Sequence, residues 1–318
     1  MTLLDINSDV QRAVAAGKAV VALESTIIAF GLPWPQNEQT ALECERLVRE
    51  AGATPATVGV VEGRLKVGLN ADEIGRLARA RGVAKVNLSN LAAVCARGGW
   101  GATTVSATLF AADAAGIRVF ATGGIGGVHR NLSERADVSA DLGALARWRC
   151  IVVCSGAKSV LDVRSTRELL ESLGVPVLGY RTDRFPLFFT PDSDIAVDAR
   201  VESPEEAAAA AQAHWALGLP GSVLCAQPVA GEHALERAEV DRHLPLIEEE
   251  FARRGDPDGR GLTPFLLARL AALTGGRSLE ANLALIRRNA ALAAAIAKAL
   301  EQKPTHLIRS AAERKGAD

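Results

Sequence analysis

The hydrophobic pattern changes period many times along this chain, and each change marks an element. Residues 150–153 form an unbroken apolar run that Cys154 extends, which predicts a fully buried strand. Ser155, Gly156 and Ala157 then predict a tight turn, with Lys158 after it and a helix over 159–173. Residues 20–24 read similarly, as a strand that ends on Glu24, followed by Ser25 and Thr26. A loop with two prolines covers 30–37, and an amphipathic helix runs on to about Glu50. Further strands are expected at 117–122, 175–180 and 222–226, with a short one at 84–88 that carries Lys85. Residues 56–68 alternate on both sides of Glu62-Gly63-Arg64, a hairpin signature, and 194–198 alternate as an edge strand.

Helices are predicted at 8–17, with Ser8 as N-cap and Gly17 closing, and at 71–81. Residues 100–105 open an Ala-rich helix to Ala115, and 142–147 form a short one that Asp141 would cap. Ser203 with Pro204 and Glu206 starts another. Beyond His233 the pattern is mainly helical, with a break at 255–262. Thr263-Pro264 starts a helix to about Leu273, Gly275-Gly276 ends it, and Ser278 caps the last. Strands alternating with helices over 19–226 predict a three-layer α/β/α architecture with a mixed, mostly parallel sheet and a helical C-terminal region. No linker or repeat divides the chain, so one domain is expected over 1–303, with a polar tail over 304–318.

Composition narrows the function classes. With 36 basic and 37 acidic residues the net charge is −1, and no basic block favours nucleic acid. The five cysteines (44, 95, 150, 154, 225) include no Cys-x-x-Cys pair and read as buried, reduced thiols. Without a secretory leader or an apolar run of about 18 residues, a cytoplasmic protein with no membrane partner is expected.

Candidate chemistry collects at strand ends. The chain has seven Lys against 29 Arg, so Lys158 stands out as a choice of amine over guanidinium. Desolvation there favours a neutral, nucleophilic amine, although a lysine snorkelling to water fits the stretch equally well. Glu24 is an acid/base candidate or a solvated carboxylate. The helix start around Thr103, Thr104 and Val105 offers N–H groups and hydroxyls to an anion, or an ordinary cap. Four glycines in residues 123–127 allow close backbone approach, without the spacing of a dinucleotide fingerprint. His129 and Arg130 follow as phosphate contacts or surface residues. Asp137 and Asp141 are spaced i, i+4; with Asp141 capping, Asp137 is free for a hard divalent cation or for solvent. Residues 24, 85, 122, 158 and 180–183 all fall at strand ends, where open α/β sheets bind ligands.

These residues carry a resemblance. Ala22 to Asn37, Ala121 to Arg130, Asp137 to Leu142 and Ser155 to Asp162 resemble motifs of the pseudouridine-5′-phosphate glycosidases, the indigoidine-synthase-A-like family. So do Gly179 to Asp183, Thr263 to Leu267 and Thr274 to Asn282, and the similarity runs from about residue 8 to 300. The resemblance implies reversible cleavage of pseudouridine 5′-phosphate to uracil and ribose 5-phosphate. By the same likeness Lys158 is the Schiff-base nucleophile, Glu24 the proton donor and Asp137 the ligand of Mn²⁺. Lys85, Val105 through its backbone, Ser139, Ala140 and Asp141 match substrate-binding positions, and Thr122, His129 and Asn282 match further motif residues. A homotrimer is also implied.

The chain departs from the family pattern at 87–90, where a basic pair and an Asp are expected, at Arg184 and at Gln227. The alternatives are a Schiff-base lyase or aldolase for another sugar phosphate and a non-catalytic accessory protein of pigment biosynthesis.

Overall fold

A computed structural model describes residues 3–130, 137–191, 193–254 and 262–301. The chain opens with strand β1 (Leu4–Ile6), helix α1 (Ser8–Ala15) and strand β2 (Val20–Leu23). Helix α2 (Gln36–Glu50) leads to the hairpin β3 (Thr54–Val61) and β4 (Arg64–Val67), then α3 (Ala71–Arg79). Next come β5 (Ala84–Val86), α4 (Leu91–Ala96), β6 (Gly101–Thr103), α5 (Val105–Ala114) and β7 (Val119–Ala121). Short β8 (Val128–His129) and α6 (Ala140–Leu145) precede β9 (Ile151–Cys154), β10 (Leu161–Asp162) and α7 (Val163–Ser172). The sheet is completed by β11 (Val177–Tyr180), β12 (Ala199–Val201), α8 (Pro204–Ala216) and β13 (Val223–Ala226). Helices α9 (Arg237–Ala252), α10 (Leu262–Leu273) and α11 (Arg277–Glu301) follow.

Among the described residues the main sheet has eleven strands in the order β1-β4-β3-β2-β7-β9-β13-β11-β12, with β6 pairing β3 and β5. From β3 to β12 along that path every pairing is parallel, and β3 runs antiparallel to β4 and β6. All four residues of β2, β9 and β13 are buried, so both faces of the sheet are covered. Each Val, Leu or Ile buried there stabilises the fold by roughly 1.5–3 kcal/mol. Helix α11 packs on α2 and α8 and reaches β2, β7 and β9, while α5 packs on α6 and reaches β2 and β3. The expected α/β sheet, mostly parallel with a long C-terminal helix, is what the chain forms.

Several local expectations are corrected. Asn7, not Ser8, caps α1, accepting from Asp9 N at 2.8 Å. Residues 101–103 are a strand rather than a helix start, because Gly101 lets β6 lie against Val86, which a Cβ would meet at 2.4 Å. Lys158 is followed by β10 before the helix begins, and Asp162 caps α7. The edge strand is β12, while 194–198 contribute one bridge, Arg184 to Ala196. Ser139 caps α6, which leaves Asp141 inside that helix. Ser278 lies within α11, and its N–H donates to Thr274 Oγ1 at 3.2 Å. β1 and α4 carried too few periodic positions to be expected. The break at 255–261 and the tail over 304–318 lie outside the described residues. No helix among the described residues is long and apolar enough to cross a membrane.

Candidate active site

Parallel strands expose their last residues along one edge, and the chemistry-bearing side chains hang from it. Glu24 follows β2, Thr122 follows β7, and Ser155 follows β9. Past the strands proper, the turns after β7 and β9 continue as a ladder. Thr122 N donates to Val153 O (3.0 Å), Ser155 N to Gly123 O (2.9 Å), Ile125 N to Gly156 O (3.0 Å) and Lys158 N to Ile125 O (3.1 Å). Lys158 is thereby set by the glycine turn of a neighbouring strand. Gly156 has φ +81, and a Cβ there would lie 1.9 Å from Pro186 O, so only glycine fits. The glycine run serves close packing: a Cβ on Gly126 would meet Ser139 Oγ at 2.3 Å, and one on Gly127 would meet Thr166 Oγ1 at 2.3 Å.

Glu24 is 7 % exposed. Thr122 Oγ1 donates to its Oε1 and Thr26 Oγ1 to its Oε2, so both oxygens are oriented by hydroxyls. The Lys158 side chain is half-buried, and among the described residues its ammonium has no carboxylate or hydrogen-bond partner. Glu24 and Lys158 line one small apolar lobe of about 50 Å³, together with Ile27, Phe30, Phe188, Leu267 and Asn282. Asn282 is 2 % exposed, and among the described residues its Oδ1 has no hydrogen-bond partner. A second, polar lobe of about 250 Å³ adjoins the first, sharing Thr26, Lys85 and Lys158. It adds Asn87, Thr104, His129, Asp137, Ser139, Ala140 and Asp141. Lys158, Glu24 and Asp137 therefore converge on one bipartite cavity.

Within the polar lobe the two aspartates differ. Asp141 is 4 % exposed, and its carboxylate accepts from Ser106 N in the first turn of α5 and from Gly126 N, both at 2.9 Å. It fills the anion position that the α5 start offers and ties that helix to the glycine turn. Asp137 is half-buried and lies between backbone anchors, His129 N to Asp137 O (3.0 Å) and Ser139 N to Gly127 O (2.9 Å). No group of three or more His, Cys, Asp or Glu among the described residues could hold a metal. One carboxylate facing a polar cavity still fits a hard cation that keeps most of its water.

Val105 is 1 % exposed, and its side chain belongs to the core. Only its backbone, beside the lining residue Thr104, is left to meet a ligand. The expectation that residues 180–183 share the site is corrected: Tyr180 and Arg181 line a different cleft with Gln227, and Asp183 pairs with Arg200 at 3.0 Å. Arg184 also stands apart from the cavity, whereas Asn87 lines it. A wider cleft of about 450 Å³ beside Arg130 holds Arg237 and Asp194, which pair at 3.4 Å, and among the described residues no lysine lines it. Two polar residues bonded to Glu24 or to the neighbouring strand ends were not singled out from the sequence. Thr26 was visible only as a hydroxyl near Glu24, and Asn289 only as an amide interrupting an Ala-rich helix.

An amine and a buried carboxylate share a cavity at the carboxyl edge of a mostly parallel sheet, an arrangement able to support covalent and acid/base chemistry. Residues 9–299 match the family described as indigoidine synthase A like protein. A pseudouridine-5′-phosphate glycosidase of Hahella chejuensis is 51 % identical over 295 residues, covering 92 % of this chain and 97 % of that protein. One from Symbiobacterium thermophilum is also 51 % identical, covering 94 % and 98 %. Among solved structures, a prealnumycin C-glycosynthase in complex with ribulose 5-phosphate superposes with a TM-score of 0.86 at 38 % identity, covering 95 % and 98 % of the two chains. An indigoidine synthase A-like protein from Thermotoga maritima gives 0.86 at 36 %, covering 95 % and 97 %. The chain belongs to the indigoidine synthase A-like family, and it is an enzyme of the C-glycosidase and lyase class.

Proposed function

We propose that this enzyme cleaves the C–C glycosidic bond of pseudouridine 5′-phosphate, taking up water to give uracil and ribose 5-phosphate, and that it can run the reverse. The observation that carries the reading is the placement of Glu24 and Lys158 on one lobe, at 51 % identity to a glycosidase of that name. In the reaction the Lys158 amine bonds to C1′ as the bond from C1′ to the ring oxygen breaks, and that oxygen leaves as a hydroxyl, taking up the proton that the nitrogen loses. Uracil C5 is a carbon leaving group, which departs only when protonated, and Glu24 delivers that proton. As the C1′–C5 bond breaks, the nitrogen lone pair forms a C=N bond to C1′. Water then hydrolyses the imine, releasing ribose 5-phosphate and the free amine.

The apolar lobe, with Asn282, suits a flat base, while the polar lobe, with Lys85, His129 and Ser139, suits a sugar phosphate. Asp137 would hold Mn²⁺, which when bound neutralises charge on the oxygens of the substrate. Ala140 and the Val105 backbone complete the polar wall, and the assembly carried with this reading is a homotrimer. Borohydride reduction in the presence of ribose 5-phosphate should leave a stable adduct on Lys158. Lys158→Ala should keep the fold and lose uracil release; full turnover in that variant would remove the proposed nucleophile.

A further inference from the structure

Positions 282, 285, 286 and 289 of α11 fall on one helical face. That face lies against the strand ends of the site: a Cβ on Gly123 would meet Ile286 at 3.3 Å and Leu285 at 3.4 Å. Asn289, at 1 % exposure, is the polar residue two turns beyond Asn282. Its Nδ2 donates to the Thr122 carbonyl at 2.9 Å and lies 3.1 Å from Ser155 Oγ. A carbonyl oxygen can only accept, so the amide must present its NH₂ group there. A buried amide is costly without partners, and this one spends its donors on the two strand ends that carry the chemistry.

The Thr122 backbone is consequently held in both of its flanking peptide groups, its N–H by Val153 O at 3.0 Å and its carbonyl by Asn289. Its hydroxyl is then aimed at Glu24 Oε1. We infer that Asn289 is a positioning residue for Glu24, acting through Thr122, with Ser155 preventing the amide from swinging away. This rests on the role given to Glu24 above. Asn289 touches neither cavity lobe. With the amide removed, the Thr122 carbonyl loses its partner, its peptide plane turns, and the hydroxyl no longer fixes the carboxylate.

The test is a double-mutant cycle on uracil release with wild type, Asn289→Leu, Thr122→Val and the double variant, each checked for folding by thermal melting. Asn289→Leu should lower kcat by about tenfold or more and leave KM within about twofold, as expected for loss of a hydrogen bond acting on a charged group. In the Thr122→Val background the same substitution should cost less than about threefold, because the two act on one carboxylate. Additive losses would overturn the inference. If Asn289→Leu does not fold, Asn289→Ser replaces it in the cycle. A wild type that releases no uracil refutes the proposed function instead. The inference is then read from the crystal structure of Asn289→Ser: Thr122 Oγ1 displaced from Glu24 supports it, and Thr122 left unmoved overturns it.

Discussion

The hydroxyl of Thr122 donates to the carboxylate of Glu24 across 98 residues of chain, while Thr26 holds the other oxygen. Glu24 is thus aimed by two side chains, one local and one brought in by the neighbouring strand. Thr122→Val removes the hydroxyl at nearly constant volume. Because a hydrogen bond to a charged group contributes about 1.5–3 kcal/mol, kcat for uracil release should fall by roughly tenfold to a hundredfold. Thr26→Val should act in the same direction. Unchanged kcat in both would show that Glu24 does not need this orientation.

Gly156 is where the Lys158 loop passes under Pro186. A methyl group there would sit 1.9 Å from a backbone oxygen, on a residue with φ +81. Backbone strain of this kind costs on the order of 1–3 kcal/mol, and the collision adds to it. Gly156→Ala should lower the melting temperature and abolish borohydride trapping on Lys158, since the loop must move to relieve the contact. A variant with wild-type stability and trapping would contradict this account of the turn.

Under the proposed function Asp137 would hold the cation. Asp137→Asn should weaken Mn²⁺ binding by at least about tenfold, as removal of the one anionic ligand of a hard ion requires. Electron paramagnetic resonance of added Mn²⁺ reads this without turnover. Equal binding by the variant would place the ion elsewhere.

Asp162 caps α7, accepting from Ser165 N at 2.9 Å and Ser165 Oγ at 2.7 Å. Burial pushes its carboxyl up, but the bonds from Ser165 outweigh it, with Arg130 assisting, and hold it below its ordinary 3.8. A lowered carboxyl stabilises the fold above its unfolded value and loses that contribution as pH falls through the folded one. Asp162→Ala should therefore cost about 1 kcal/mol at neutral pH, measured by urea unfolding. The gap from wild type should narrow below about pH 3.8. A gap independent of pH would show that the charge is not involved.

The thiols of Cys150, Cys154 and Cys225 are buried, and burial pushes Cys154 up to about 12 and raises the other two. Thiolate is the reactive form, so these three should resist alkylation in native protein at pH 8 and react after denaturation. Their protonated state also favours the fold below about pH 9, and that contribution is lost as the pH climbs towards 12. Rapid native labelling of Cys154, detected by mass spectrometry, would contradict its place in the core.

Hydrophobic period alone was enough to find β2, β7, β9, β11 and β13, because strands buried on both faces read as short apolar runs. It also placed Glu24 and Thr122 at strand ends and Lys158 close after one, the edge where open α/β sheets bind ligands. Where local signals competed, it erred. Asn7 outcompeted Ser8 as a cap by one position, and residues 101–103 joined the sheet, where β3 and β5 supply hydrogen-bond partners. Tyr180 and Arg181 also sit at a strand end, yet face another cleft, since sequence does not say which strands are neighbours.

What the chain determined by itself was a set of residues, among them a lysine chosen over arginine at the end of a buried strand. Tertiary structure decided which of them meet. The ladder from Thr122 to Lys158 is made of backbone bonds between two turns, and backbone groups leave no residue-specific mark. Asn289 reaches the site from a helix 167 residues beyond Thr122. Its role depends on one buried amide finding one carbonyl, a relation of distance and angle that no periodicity encodes.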